Sequence, residues 1–145
     1  MRSNSGYVED VLSPHTSRAR PSCPTTHVYR CGVRILDLAS APSKPVSKFG
    51  SRSFSIAGLL AGDDAHVATV HLGAGGLIGR HPTASMQLLV VLTGDATVSG
   101  EDGRAVTIGP GNAALWQLDE DHETRTASGL VALVIEGQLD LRDQR

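Results

Sequence analysis

From Cys31 onward the chain is written in short apolar runs: CGVRILDL, SFSIAGLL, HVATVHL, MQLLVVL, DATVS, RAVTI, NAALWQ, HETRTA and LVALVIEG. Each has strand length, and nowhere does a clean helical stripe appear. Between the runs sit APSKP, AGDD, GAGG, TGD, SGEDG, GPGN and DED, which supply the turn-forming and positive-φ residues that hairpins and loops need. Strands recurring about every ten residues predict an all-β sandwich or barrel. The stretch SGEDG, residues 99–103, carries the strongest hairpin signal.

Residues 1–29 break this pattern. They are rich in Ser, Pro, Thr and Arg and show no apolar period of 2 or 3.6, so they bury too little surface to offset the entropy of ordering. The reading is a flexible N-terminal arm, 1–29, followed by one barrel domain, 30–145. A segment that orders against a partner subunit, or unselected residues from an upstream start, would look the same. A length of 145 residues suits one core. The formal charge of −2, with no stretch combining clustered Lys and Arg with aromatics, argues against nucleic acid as a partner. The polar start MRSNSGYVED has no apolar leader and no run approaches a membrane span; the expectation is a cytoplasmic protein with no membrane partner. Cys23 and Cys31 lie close together without C-x-x-C spacing and read as reduced thiols.

One segment concentrates chemistry: Gly75 to Gly94, GGLIGRHPTASMQLLVVLTG. His81, Thr83 and Gln87 share odd parity, and a strand period of two would send them to one face. The run LLVVL that follows is too apolar to face water on both sides, so that face belongs to a closed or covered sheet. With these residues the chain resembles the cupin superfamily. Gly75, His81, Gln87 and Gly94 fall on the glycine, first histidine, glutamate and final glycine of its first motif, and Thr83 stands at the second histidine. In GNAALWQLDEDHETRT, Gly111 and His122 match the second motif, while Gln117, Asp119 and Thr126 replace its proline, glycine and asparagine. The resemblance covers roughly residues 31–137 and implies a single cupin barrel, the double-stranded β-helix or jelly roll. It further implies a divalent metal inside (Zn, Fe, Mn or Ni) held by His81, Gln87 and His122, although the altered positions are ligand positions and a metal-free pocket stands beside it.

Each residue has two readings. His81 and His122 are metal ligands or acid/base groups, or a buried hydrogen-bonded pair. Gln87 is a ligand or an oxyanion donor, or makes an ordinary interior hydrogen bond. Thr83 contacts substrate or serves the strand. Trp116, the single Trp, walls the pocket or fills the core. His71 is a spare substrate-binding candidate or a histidine near solvent. Glu120, Asp121 and Glu123 orient His122 or form a solvated acidic loop. Gly73, Gly75, Gly76 and Gly79 read as turn glycines, since no phosphate-loop lysine follows. The functional expectation is an enzyme acting on a small organic molecule: an isomerase, cyclase, lyase or metal-dependent oxygenase. The alternative is a barrel that captures or senses a ligand without turning it over. The outward apolar positions of LLVVL and LVALVI allow a homodimer. Deleting residues 1–29 is expected to leave the melting temperature essentially unchanged; a large drop would make the arm a core or interface strand.

Overall fold

Period-two alternation decides which side chains the strands bury. In the computed structural model, which describes residue 33, residues 35–140 and residue 142, it does so in nine strands and no α-helix among those residues. They are β1 (Lys44–Pro45), β2 (Arg52–Ala61), β3 (Ala65–Pro82), β4 (Met86–Gly94), β5 (Ala96–Ser99), β6 (Ala105–Ile108), β7 (Ala113–Trp116), β8 (Asp121–Arg125) and β9 (Leu130–Gly137). All pairings are antiparallel. The order is β6-β5-β8-β3-β9-β4-β7, with β2 on β3 and β1 on β2, a nearly closed all-β barrel. Inward positions along β2, β3, β4 and β9, among them Ile56, Val70, Leu89 and Val134, are buried and make one core.

Eight of the apolar runs became strands. SGEDG is the β5–β6 turn, with Ser99 opposite Ala105 and the Gly103 N–H donating to the Gly100 carbonyl. CGVRILDL did not. Its described residues form no strand, and Val33 and Ile35 are 89% and 86% exposed, because the first ladder begins only where Lys44 meets Ile56. The arm expected at 1–29 lies outside the described residues, as do Cys23 and Cys31.

The second difference shapes everything else. GAGG reads as a turn, yet β3 runs through it for 18 residues. Its first half lies between β2 and β9, with Thr69 opposite both Ala57 and Leu133; its second half pairs with β8. Gly75, at φ +71, takes a backbone conformation that costs glycine little, so the strand bends from one half of the barrel into the other without ending.

Beyond the bend β3 carries a bulge. The register advances from Ile78 opposite Thr124 to His81 opposite His122, three residues against two. The extra residue resets parity, so Ile78 and His81 both face inward while Arg80 is exposed. Gly79, in the bulge, lies against the neighbouring chain so closely that a Cβ there would sit 1.7 Å from the Phe49 carbonyl oxygen. Gly79→Ala should therefore lower stability by more than about 1 kcal/mol. Gly109→Ala, with nothing within 4 Å, should stay within about 0.5 kcal/mol. Equal urea midpoints for the two variants would contradict this packing.

Candidate functional site

Cross-strand register brings the polar residues together. His66 on β3 stands opposite Glu136 on β9, Glu136 opposite Gln87 on β4, and Gln87 opposite Trp116 on β7. Residues directly opposite share a face, and here it is the inner one, since Val134 and Leu89 in the next row line the cavity. The β3–β8 ladder sets His81 against His122. Folding the barrel then joins the two groups. The His122 ring lies 4.3 Å from that of His81 and 4.6 Å from that of Trp116, and Phe49 stacks on His81 at 4.8 Å. His81, Gln87 and His122 border one small cavity, otherwise walled mainly by apolar side chains such as Ile56 and Val70. Its interior is about 20 Å³, room for about one water.

The other expected residues divide. Trp116 is buried behind His122, and its indole N–H donates to the Ser99 carbonyl at 3.2 Å. It is a wall to His122 rather than a cavity-lining group. Thr83 is also buried but does not border the cavity. The period-two argument that joined it to His81 and Gln87 fails because β3 ends at Pro82 and β4 begins at Met86. In that connection Thr83 fastens the loop before β8: its hydroxyl donates to the Gln117 carbonyl, its N–H to the Glu120 carbonyl, and its own carbonyl accepts from Asp119 N–H. His71 has opposite parity to His66, Ala68 and Val70, and sits half-buried in a shallow open groove with Thr93, Gly94 and Ser128, away from His81.

The loop that carries His122 solves its turn with acidic residues. Asp119 takes the left-handed conformation at φ 63. The Glu120 carboxylate accepts the Gln117 N–H at 2.9 Å, and Glu101 on the β5–β6 turn accepts the Asp121 N–H at 3.0 Å. Glu123 pairs with Arg125. None of the carboxylates of Glu120, Asp121 and Glu123 is placed on the His122 ring.

His81 Nδ1 lies 2.7 Å from the Gly79 carbonyl. A carbonyl only accepts, so Nδ1 carries the proton and the lone pair is on Nε2. His122 Nδ1 is buried with no hydrogen-bond partner. Burial, above all, pushes the His122 pKa down to about 3, helped by the His81 ring and Arg80, while the nearby Glu120 and His81 carbonyls pull weakly the other way. His81 is also lowered, mainly by burial, against the Gly79 bond and the charge of Asp121. Both imidazoles are neutral proton acceptors at neutral pH.

Three further residues belong to the neighbourhood. Glu136 is 1% exposed on the inner row. The alternation Leu130, Ala132, Val134, Glu136 in β9 holds the signal that would have found it. His66 shares the row, and its Nδ1 is buried without a hydrogen-bond partner. Phe49 lies in a short turn, where no periodicity points to it.

No protein-family model and no curated protein matches the sequence. Solved structures do. An RmlC-like cupin from Shewanella frigidimarina matches at TM-score 0.63 and 11% identity, over 74% of this chain and 93% of its own. A structure described as a predicted oxalate decarboxylase from Thermotoga maritima matches at 0.65 and 18%, over 73% and 100%. The polyketide cyclase RemF from Streptomyces resistomycificus matches at 0.65 and 17%, over 77% and 89%. The fold is that of the cupins. Whether this barrel suits a metal is decided by its donor set. His81 and His122 offer two imidazoles, Gln87 a neutral amide, and no group of three or more His, Cys, Asp or Glu able to hold a metal occurs among the described residues. Catalytic sites for first-row metals ordinarily supply three protein ligands, with carboxylate or thiolate charge beside imidazole or three imidazoles. The residues present do not fit a resident dication.

The low pKa values set a pH dependence. Unfolded histidine titrates near 6.5, while His122 in the fold is held to about 3 and His81 below 6.5. Between those values the unfolded chain binds protons the native chain refuses. Stability is full above pH 6.5 and falls with acid by about 1.4 kcal/mol per pH unit for each histidine inside its window. Urea denaturation from pH 7 to 4 measures this, and His122→Gln should reduce the slope. A flat profile would show that the buried rings accept protons in place.

Proposed function

We propose that this cupin barrel is an enzyme that moves protons on a small organic molecule bound in its interior. The observation that carries the reading is the adjacent pair of neutral imidazoles, His81 and His122, bordering one mainly apolar cavity together with Gln87. A proton acceptor whose lone pair is fixed on Nε2 takes a proton from carbon or oxygen. The imidazolium so formed gives that same proton back at another atom of the molecule, directly or passed on through the neutral His122 ring 4.3 Å away. The Gln87 amide N–H stabilises oxygen charge that develops between them. Isomerisation, cyclisation and lyase reactions need this set, and structural neighbours with the same fold include a polyketide cyclase and a DMSP lyase. Fold alone does not choose among these reactions.

Metal titration separates this reading from metal-assisted chemistry. Calorimetry with Zn, Fe(II), Mn and Ni should show weak binding by the wild type and at least about tenfold tighter binding by Gln87→Glu, because that change adds a charged ligand beside two imidazoles. His81→Ala and His122→Ala should abolish the gain and leave the fold intact. Tight binding by the wild type with no gain in the Glu variant would replace acid/base chemistry with a metal centre. A barrel that binds organic ligands, with His81 and His122 replaceable at no cost to them, would be a capture module.

A further inference from the structure

Among the described residues, the buried threonines give their hydroxyls fixed partners, with one exception. Thr69 donates to the Ala57 carbonyl at 3.5 Å, Thr83 donates to the Gln117 carbonyl, and the Thr126 hydroxyl accepts the Gly129 N–H at 2.9 Å. Thr124 is 1% exposed, yet its side chain makes no hydrogen bond to a described residue. Strand register explains why. His122 and Thr124 alternate inward along β8, and the cross-strand neighbours of Thr124 are Ile78 on one side and Val98 on the other, both buried and apolar. A hydroxyl in such a row costs free energy unless something hydrogen-bonds it. Thr124 borders the cavity. So does Gln87, 6% exposed, whose amide likewise bonds no described residue. Two unpartnered polar side chains, each more than nine-tenths buried, thus line an interior of about 20 Å³, room for about one water.

We propose that Thr124 and Gln87 form the oxygen site of this cavity: together they hold one water beside the His81–His122 pair, and the ligand seats a carbonyl or hydroxyl oxygen in its place. This rests on the proton-transfer reading above and adds to it a binding residue, Thr124, and the chemical class of the ligand, an oxygen-bearing molecule. A hydroxyl both donates and accepts, and a primary amide offers two N–H donors and a carbonyl. Between them these groups satisfy water, which donates and accepts, and a ligand carbonyl, which only accepts. The apolar remainder of the lining, with Ile56, Val70, Leu89 and Val134, gives an oxygen no second place to settle. An apolar group in the same position would leave both side chains unpartnered, so the site selects oxygen over carbon.

Nuclear magnetic resonance and urea denaturation test the site without knowledge of the substrate. In the wild type the Thr124 methyl protons should show a nuclear Overhauser cross-peak to a long-lived water. Thr124→Val keeps the branched shape and removes the hydroxyl; it should lose that cross-peak and unfold at a lower urea concentration. Thr124→Ser keeps the hydroxyl, so the water should reappear at its β-protons. A raised midpoint in Thr124→Val, with no water signal in the wild type, would mean a dry and unsatisfied hydroxyl and overturn the site. A water signal that survives in Thr124→Val would overturn Thr124 as its holder. Acetone and dimethyl sulfide, similar in size and only the first carrying oxygen, then probe the ligand class. Acetone should weaken the water cross-peak progressively with concentration, and the sulfide should leave it unchanged. Equal loss with both probes, or loss with neither, overturns the ligand class; neither result bears on the proton-transfer reading, which the metal titration decides.

Discussion

The site depends on one strand belonging to two halves of the barrel. β3 is held by β2 and β9 over its first eight residues and by β8 over its last six, so its path fixes where the halves meet. Had it ended at the glycines, His66 and His81 would sit on separate strands with no common frame. Because it bends at Gly75 and bulges between Ile78 and His81, one chain segment lays His66 on the inner row beside Glu136 and His81 opposite His122. A strand without the bulge would turn the exposed Arg80 inward and His81 out. The geometry of the imidazole pair is thus a property of backbone register before it is one of side-chain chemistry.

Much of this is legible in the amino-acid order, for reasons that also explain the failures. Strand runs such as HVATVHL and LVALVIEG are readable because burial on one face forces alternation. His81, Gln87 and His122 converge as their spacing suggests. Alternation says nothing, however, about whether a strand stops. Glycine clusters serve turns and bends alike, and GAGG is a bend. Thr83 was misplaced by extending one period across Pro82 to Met86, where the chain changes strands. Phe49 escaped altogether, because its importance comes from a left-handed turn and a long-range contact with Gly79, neither of which leaves a periodic trace. Glu136 was visible in β9's alternation, yet only the register with Gln87 and His66 gives its position meaning.

The departures from the cupin motifs are mutually consistent once packed. Asp119 and Glu120 replace a proline and glycine turn by a left-handed residue and a carboxylate that accepts backbone N–H groups, so the loop still delivers His122 to β8. Thr83 braces that same loop. Gln87 keeps the shape of a glutamate while removing its charge. The consequence falls on the two imidazoles. With no carboxylate in the cavity lining and apolar walls around them, nothing there compensates an imidazolium, and burial dominates both shifts.

That dominance links basicity to closure. Since desolvation is the largest cause of the lowered pKa at both rings, whatever changes their surroundings changes their strength as bases. The closed, nearly dry cavity makes His81 and His122 poor proton acceptors. A ligand that brings carbonyl or alkoxide oxygen beside them stabilises the protonated form and raises their pKa toward the working range. In the proposed acid/base role, the Gln87 amide would orient such an oxygen without a permanent charge that favours imidazolium beforehand. The turn at Lys48–Gly50 acts on the same variable from outside, as its Phe49 ring covers one face of His81. Ring stack and apolar wall therefore bury both rings, and that burial keeps them uncharged at neutral pH.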